Sequence, residues 1–549
     1  MHMELNKKSI TWMEYGLILI GSLHPIFFNL PYKDNIFLAY EGAYRMYLGQ
    51  LPFKDFYLPL GYGMWIIPAI FFKIFGPYLI TLVKAQALIN IIAGISFREI
   101  LKYFKVEHSI RLFSVLIFCV TYIFINRWPW YNHTVIVFEF VGVVFLLHAL
   151  ESKSNFKTLF FLFTASFFSV LAFITKQDGG AFAILLNITL ILYIGIVRKR
   201  ISLPALYLGM TVISILIFIL PLLPYNFSYW FNYGQPPHYS RISLFDFINE
   251  FLKYSMWVKL YLLVISIIII YKFQYNRKYL FNERNFMFAL FTLFILFQAT
   301  ILQVTSYTPP DGSIYFHSFA FAFIFFNIST KINFSKLPYF AIMTVFLMLL
   351  WSGSYWQYFE RPVKKLFPQK DAQADRQIIS KNTFLLDRDS TYVDYRNWIT
   401  SNIQAFKKVE MPPSTIEGMN RLLSMPLINK PDLKFLNMTE LTPLAFQIGY
   451  NLEKNKPLWY HYGVSIFEEQ IEDYIKEIKD QYYDIVLYEY KPRSNNFYPF
   501  IIREVLQKEY YLIDNFSIPR KEYVQGDVIE VYLSNRHVND NYKISTINN

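Results

Sequence analysis

Long apolar runs separated by short polar stretches dominate the first 355 residues of the chain. Eleven runs approach the roughly 20 residues that an α-helix needs to cross a bilayer. They lie at about 12–30, 78–97, 112–126, 134–150, 158–174, 181–197, 204–224, 256–271, 286–302, 316–329 and 338–354. Beyond residue 355, short apolar strands alternate with amphipathic helices. The pattern therefore predicts a polytopic α-helical membrane protein with about eleven spans (1–355), followed by a soluble α/β domain (356–549).

A further apolar segment, 60–76, could either span the membrane or lie along its surface. The choice matters, because a spanning helix here would reverse the orientation of every later segment. Lys and Arg concentrate in short cytoplasmic loops, which resolves the orientation. If 60–76 lies along the membrane surface, seventeen basic residues fall in short loops on the N-terminal side and only eight on the opposite side. We therefore predict a cytoplasmic N-terminus, an outer first loop (31–77) and an extracytoplasmic C-terminal domain.

The composition supports a membrane protein. Hydrophobic residues make up 54% of the 549 residues and charged residues only 17%, against about 25% charged in soluble proteins. The net charge of +12 combines +13 in residues 1–355 (27 Lys+Arg, 14 Asp+Glu) with −1 in the remainder (25 and 26). The excess basic charge therefore marks membrane topology rather than nucleic-acid binding. The single cysteine, Cys119, excludes an intrachain disulfide. Lys7 and Lys8 precede the first span without a following small-residue cleavage site, which predicts a retained anchor.

The first outer loop is predicted to contain two interfacial helices. In the segment 36–48 the apolar positions fall on one helical face, and Gly49 supplies a C-terminal stop. This pattern indicates an amphipathic helix on the membrane surface, with Glu41 on its solvated face. A turn-rich link, 51–60, leads into the second interfacial helix at 60–76.

Several motifs in residues 30–180 resemble a known family. They are Asp34 after the first span, Gly49-x-x-Pro52, Phe53-Lys54-Asp55-Phe56, Pro59-Leu60, Phe75-Gly76, Trp128-Pro129-Trp130-Tyr131-Asn132-His133 and Thr175-Lys176-Gln177-Asp178-Gly179. Together they resemble the C-type (GT-C superfamily) glycosyltransferases that use polyprenyl-phosphate sugars. This group includes the protein O-mannosyltransferases and the lipid A aminoarabinose transferases.

The resemblance implies that an acid in the first outer loop deprotonates the acceptor. Asp34 matches that position, although an Asp just before a helix is also a standard N-cap. The family commonly has two adjacent acids, whereas Asn35 follows Asp34 here, so no metal site is predicted. Asp55 is the second catalytic candidate, and the alternative is a turn residue paired with neighbouring Lys54.

The resemblance also implies that basic residues at the outer face hold the phosphate of the lipid donor. Lys176 is the best candidate, because a long cation at an outer helix end can reach a lipid headgroup. The further candidates, for each of which headgroup anchoring is the alternative, are Arg127, His133, Lys84, Arg241 and His317.

Glu139 lies inside an apolar span, where ionisable side chains are costly and usually partnered. We predict that it supports the site from below, paired with Arg127 or His133. The alternatives are a structural ion pair and a protonated core carboxyl.

Two other regions bear on function. The aromatic residues of the loop 225–255 either stack on sugar rings or form a membrane-interface belt, and the belt is favoured. In the C-terminal domain, Ser465–Glu468 is interpreted as a capping box opening a helix at 466–480. A strand at 483–488, a helix at 499–510 and strands at 511–518 and 527–533 follow. This domain is predicted to cover the outer cavity or to recognise the acceptor.

The predicted function is an inverting, metal-independent hexosyl- or pentosyltransferase of the cytoplasmic (inner) membrane. It would move a sugar from a polyprenyl-phosphate carrier to a glycan, lipid or protein acceptor outside, with no cofactor and no nucleic-acid partner. One alternative is a transporter or flippase, but the sequence shows no internal repeat of the kind those proteins carry. The other is a polysaccharide polymerase or ligase acting through later outer loops.

Overall fold

The computed structural model describes residues 6–33, 36–124, 126–225, 227–234, 244–306, 315–329, 334–352, 397–463, 465–492, 498–520 and 526–537. The helices before residue 355 are α1 (Lys7–Leu23), α2 (Ile36–Tyr47), α3 (Gly63–Phe75), α4 (Leu79–Tyr103), α5 (His108–Phe118), α6 (Tyr131–Glu151), α7 (Asn155–Thr175), α8 (Gln177–Val197), α9 (Ser202–Ile219), α10 (Leu244–Asn249), α11 (Met256–Tyr275), α12 (Arg277–Leu280), α13 (Glu283–Ser306), α14 (Phe316–Ile328) and α15 (Leu337–Leu350). Each of the eleven predicted apolar runs overlaps one of them.

Seven helices in the described part of the chain are long and apolar enough to cross a membrane. These are α4, α6, α7, α8, α9 with its extension to Leu222, α11 and α13. Shorter apolar helices cover His108–Ile123, Phe316–Ile328 and Leu337–Leu350. The protein is therefore an integral multi-pass membrane protein, and the count of eleven spans stays a prediction.

Helix α3 lies across one end of the bundle. Its 13 residues extend only about 20 Å, less than the roughly 30 Å of a bilayer core. Where it begins, a Cβ atom on Gly61 would lie 1.6 Å from the Ile174 carbonyl oxygen, so only glycine permits this contact with the end of α7. Where it ends, Gly76 leads directly into the start of α4. Both ends of α3 are thus at the same end of the bundle, which we name the loop end.

At the opposite end of the bundle, a buried ion-pair group joins three helices. The Glu14 carboxylate of α1 accepts hydrogen bonds from Arg98 of α4 at 2.6 Å and from Arg111 of α5 at 2.8 Å. Glu14 is completely buried. Because removing either partner would leave an uncompensated buried charge, this group fixes the relative positions of α1, α4 and α5.

Residues 397–537 form the α/β domain that the sequence predicts, here named the tail. Its elements are β3 (Ile399–Thr400), β4 (Val409–Met411), α16 (Pro413–Leu423), β5 (Phe435–Met438), α17 (Leu444–Ile448), β6 (Lys456–Pro457), α18 (Glu468–Lys479), β7 (Ile485–Tyr490), α19 (Phe500–Glu509), β8 (Tyr510–Ser517) and β9 (Val528–Ser534). Strands β5-β7-β9-β8 form a four-stranded sheet in that order, with β5 and β7 parallel.

The predicted capping box of the tail is wrong. The helix begins at Glu468 rather than at residue 466, and the Ser465 hydroxyl donates to the Trp459 carbonyl at 2.7 Å instead of capping it. The Phe467 N–H donates to the Gln470 side chain at 2.9 Å. The N-cap is thus Phe467, two residues later than predicted, and only the hydrogen bond from the N-cap N–H to the Gln470 side chain of a capping box is present.

The first loop and the tail are joined by two short strand pairings and a shared apolar core. Strand β1 (Leu30–Pro31) pairs in parallel with β4, and β2 (Phe56–Tyr57) pairs in parallel with β6. The apolar core shared by the two regions includes Tyr40, Trp65, Phe406, Leu444 and Ile529. The tail therefore lies at the loop end of the bundle and covers α2.

Two predictions about α2 have different outcomes. The bounds of the helix are confirmed, and Gly49 has the left-handed φ of 84° expected at its C-terminus. The solvated face is wrong, because the tail covers it: Glu41 is largely buried and forms an ion pair with Arg45 at 2.9 Å.

Candidate functional site

Polar side chains gather inside the bundle near the loop end, on helices α4, α6, α8, α13 and α14 and on the segment that follows α5. We name this group the loop-end cluster. Its members are Gln86, Tyr122, His133, Glu139, Lys176, Asp178, Gln298, Thr305 and Tyr315.

Lys176 occupies the corner between two helices. It is the single residue between α7 and α8, with an extended backbone (φ −156°, ψ 128°). Its ammonium group lies 2.8 Å from the Asp178 carboxylate and 5.8 Å from the centre of the Tyr131 ring. Asp178 also accepts hydrogen bonds from the Thr305 hydroxyl and from the Gly179 N–H. The carboxylate thus keeps two other donors if the ammonium group turns towards a ligand.

Glu139 lies deeper in the bundle, eight residues after the start of α6, or about 12 Å along the helix. It is completely buried, and the Gln298 amide donates to its Oε2 at 2.6 Å. The predicted pairing with Arg127 or His133 is not what the structure shows, and among the described residues no cation lies within 4 Å of this carboxylate. Tyr315 immediately precedes α14, and its ring centre lies 5.9 Å from that of Tyr122 and 5.7 Å from that of Phe140, the residue after Glu139.

His133 is held by its neighbours in a defined orientation. The Gln86 amide nitrogen lies 3.2 Å from Nδ1, and the Tyr122 ring centre lies 4.3 Å from the imidazole centre. Because an amide nitrogen donates, Nδ1 accepts and the imidazole proton lies on Nε2. Tyr122 in turn lies within electrostatic range of Glu139. His133 and Glu139 thus belong to one cluster without contacting each other directly.

Several buried polar atoms of this cluster have no hydrogen-bond partner among the described residues. They are Gln86 Oε1, His133 Nε2, Glu139 Oε1, Gln298 Oε1 and Tyr315 Oη. Burying polar atoms without partners costs about 1–3 kcal/mol each. Such a concentration is typical of a site that a polar ligand completes. The cluster thus contains a carboxyl group, an imidazole and a phenol with unpartnered atoms, and the Lys176 ammonium group lies nearer the loop end.

The remaining basic candidates do not join this cluster. The Lys84 ammonium group lies 4.4 Å from the centre of the Phe75 ring, on a half-buried side chain of α4. His317 is buried between aromatic rings, with the Tyr261 hydroxyl 2.9 Å from its Nδ1. Arg127 is half-buried and lies within electrostatic range of His24.

Asp55 has the contacts of a turn residue. Its carboxylate accepts the Leu51 N–H at 2.8 Å and lies 3.2 Å from the Lys454 ammonium group of the tail. Burial alone would raise the pKa of Asp55, but the hydrogen bond from Leu51 and the Lys454 cation together hold it below its ordinary value. The ion-pair partner is Lys454 rather than the predicted Lys54, whose ammonium group lies over the Tyr225 ring.

Two predicted site residues, Asp34 and Arg241, lie outside the described residues. In the aromatic loop, both earlier interpretations are wrong for Tyr229 and Trp230. These side chains are buried in the protein, and the Tyr229 ring centre lies 4.3 Å from that of Tyr57 in the first loop.

Sequence reasoning missed the uncharged members of the cluster. Gln86 and Gln298 are amides inside apolar runs, a signal equivalent to the one that identified Glu139. Tyr122 and Tyr315 carry no such signal, because this chain contains 43 Tyr residues. Among the described residues there is no group of three or more His, Cys, Asp or Glu that could hold a metal ion.

The bundle, the two helices of the first loop and the tail together have the fold of the C-type membrane glycosyltransferases. The chain is similar to the crystal structure of ArnT from Cupriavidus metallidurans bound to undecaprenyl phosphate. The sequence identity is 11%, the alignment covers 95% of this chain and 97% of that chain, and the TM-score is 0.51.

Two further structures are similar at lower scores. The apo state of the same ArnT has a TM-score of 0.49 at 10% identity, covering 96% of this chain and 98% of that chain. The Archaeoglobus fulgidus oligosaccharyltransferase in complex with Zn and sulfate has a TM-score of 0.44 at 11% identity. That alignment covers 87% of this chain and 68% of the oligosaccharyltransferase chain. No protein-family model and no curated protein matches the sequence.

Proposed function

We propose that this protein is a membrane glycosyltransferase that moves one sugar from a polyprenyl-phosphate carrier to an acceptor outside the cytoplasmic membrane. The observation that carries the proposal is the loop-end cluster, where unpartnered polar atoms and a buried cation lie together near the first loop. The similarity in fold to ArnT bound to undecaprenyl phosphate supports a polyprenyl-phosphate donor. The acceptor is a glycan, a lipid or a protein.

Lys176 is proposed to contact the donor phosphate. It lies at the loop end, where the phosphate of a lipid headgroup would sit, and it can exchange the Asp178 carboxylate for a phosphate oxygen. A cation at this position stabilises the charge that develops on the departing phosphate. His133 and Glu139 are proposed to contact the donor deeper in the cluster. Arg127, Lys84, Arg241 and His317 stay predictions as further phosphate or headgroup contacts.

Asp34 is proposed as the catalytic base. The acceptor hydroxyl oxygen attacks the anomeric carbon while the bond from that carbon to the phosphate oxygen breaks. The electron pair leaves with the polyprenyl phosphate, and the acceptor proton passes to the Asp34 carboxylate. Such a direct displacement inverts the anomeric configuration. Asp55 is proposed to position the first loop against Lys454 rather than to take the proton.

Binding of undecaprenyl phosphate to the purified full-length protein tests the role of Lys176. We expect K176Q to weaken binding by at least tenfold, because a charge-assisted hydrogen bond to phosphate is lost. The matched control is K157Q, which changes an exposed lysine near the start of α7, the helix that ends just before Lys176. Equal binding by K176Q and the wild type would remove Lys176 from the donor site.

Transfer assays test the base and the need for a metal. D34N should abolish transfer while leaving expression and undecaprenyl phosphate binding intact, and undiminished transfer would refute the assignment. Transfer is expected to survive chelation of divalent cations; a loss that added Mg²⁺ or Mn²⁺ restores would contradict the metal-independent mechanism. The glycan and lipid profile of a deletion strain would identify the sugar and the acceptor.

A further inference from the structure

Asn90 of α4 lies beside the loop-end cluster, and both polar atoms of its side chain are engaged. The residue is completely buried. Its amide nitrogen donates to the Ile123 carbonyl at 3.0 Å and to the Asn126 carbonyl at 3.4 Å. Its side-chain oxygen accepts a hydrogen bond from the Gln86 amide nitrogen at 2.7 Å. Asn90 therefore joins the main chain that follows α5 to a member of the loop-end cluster.

The main chain at Ile123 ends a π-helical turn, Cys119–Ile123, which continues α5. Carbonyls in the last turn of a helix have no partner within the helix, and the Asn90 amide supplies one for Ile123. Tyr122 of the same turn contacts His133 twice. Its hydroxyl donates to the His133 main-chain carbonyl at 2.9 Å, and its ring packs against the imidazole. The turn thus acts on His133 directly through Tyr122 and indirectly through Asn90.

The carbonyls of this turn determine which way each amide faces. A carbonyl oxygen only accepts, so Asn90 directs its nitrogen towards Ile123 and its oxygen towards Gln86. The Asn90 oxygen in turn requires the nitrogen of Gln86. That nitrogen carries two protons, one for Asn90 and one for His133 Nδ1, which lies 3.2 Å away. Reversing either amide would place two acceptors against each other.

We propose that Asn90 is a positioning residue that, through Gln86, keeps His133 as the neutral tautomer with its proton on Nε2. This tautomer offers the ligand an N–H group rather than a lone pair. The Nε2 atom is buried and has no partner among the described residues, so a phosphate oxygen of the lipid donor would complete its hydrogen bonding. The identity of that ligand rests on the proposed function, whereas the tautomer is a property of the protein alone.

Nitrogen-15 NMR of the histidine-labelled, full-length protein in detergent micelles measures the tautomer without any substrate. The chain contains nine His residues, and the signals lost in H133Q are those of His133. We expect wild-type His133 to have its proton on Nε2. Q86M keeps the length of the side chain but loses the donor to Nδ1, and N90L releases Gln86. The tautomer with its proton on Nδ1 should therefore contribute to the signal in both variants.

The matched control is N187L, which removes another completely buried amide. Asn187 of α8 donates to the Ser169 hydroxyl of α7 at 2.7 Å. This variant should lower the melting temperature, as N90L does, because each leaves a buried polar group without its partner. The His133 tautomer should nevertheless stay as in the wild type. Unchanged tautomers in Q86M and N90L would overturn the proposal, and so would a change in N187L as large as that in Q86M.

A double-mutant cycle on undecaprenyl phosphate binding separates positioning from a general structural role. We expect N90L to raise the Kd about two- to fivefold, because only a fraction of the protein then holds the binding-competent imidazole. In the H133Q background N90L should have no further effect, since both substitutions act on one group. Additive effects would overturn the positioning role. A wild-type protein with the expected tautomer that binds no undecaprenyl phosphate would support that role and count against the proposed donor.

Discussion

The Glu139 side chain is the deepest ionisable group of the loop-end cluster, and its Oε1 has no partner among the described residues. We expect E139Q to lower kcat/KM for the lipid-linked donor by about tenfold, because a hydrogen bond to the ligand is lost. The melting temperature should change little, since an amide can still accept the Gln298 hydrogen bond. The control is E151Q, which changes a half-exposed residue at the other end of α6. Wild-type activity in E139Q would remove Glu139 from the site.

At the residue scale, the sequence identified ionisable members of the loop-end cluster but not the residues that they contact. Lys176, His133 and Glu139 were predicted because charge or titratable groups near apolar spans are rare. Their contacts with Asp178, Gln86 and Gln298 depend on which helices are neighbours, and one sequence does not specify helix packing. For the same reason the sequence did not identify the ion-pair partner of Asp55, because Lys454 is about four hundred residues away in the chain.

At the scale of elements, the contact between Gly61 and the end of α7 holds the first loop to the bundle. We expect G61A to lower the melting temperature and reduce transfer, because its Cβ would overlap the Ile174 backbone and displace the loop. The matched control is G16A in α1, where a Cβ would meet nothing within 4 Å. That substitution should be neutral or stabilising by about 0.5–1 kcal/mol. Thermal unfolding in detergent distinguishes the two variants, and equal melting temperatures for G61A and the wild type would contradict the close approach.

Elements were predicted well where the signal is local. Each apolar run overlaps a helix of the bundle, and Gly49 follows the end of α2 because glycine readily adopts the positive φ needed there. The predicted helix at 499–510 and the two strands that follow it are within one residue of α19, β8 and β9. The capping box failed because Ser465 found another acceptor in the tertiary structure, the Trp459 carbonyl.

At the scale of the whole molecule, the orientation in the membrane is the central untested prediction. Reporter fusions after residues 105 and 200 should be active in the cytoplasm, and one after residue 450 should be active outside, because the basic loops mark the cytoplasmic side. The structure places the first loop and the tail at the same end of the bundle. A cytoplasmic signal from residue 450 would contradict the proposed function as stated.

The loop–tail interface should also respond to pH. The pKa of Glu453 is raised in the folded protein, so its contribution to stability is greatest below the unfolded value of about 4.3 and declines as pH rises through the folded value. Asp55 acts in the opposite direction: its pKa is lowered, so its contribution is present above about 3.9 and is lost in acid. We expect E453Q to remove part of the decline in melting temperature that begins as the pH rises above about 4.3. An unchanged pH profile would contradict the burial of this carboxylate.

The contacts between the first loop and the tail could not be predicted from the sequence. The strands that join the first loop to the tail, β1 with β4 and β2 with β6, are two or three residues long. Such short segments carry no periodic signal. Their pairing follows from the shared apolar core rather than from any local pattern.

The union of the first loop with the tail has a consequence for biogenesis. Tyr32 and its hydrogen-bond partner Glu440 are 408 residues apart in the chain. At translation rates of roughly 5–20 residues per second, the ribosome takes about 20–80 seconds to make the intervening polypeptide. A nascent chain therefore inserts its first helices long before it can complete the first loop. Premature termination before residue 409 would leave a membrane-embedded bundle without β4 and β6, the strands that pair with its first loop.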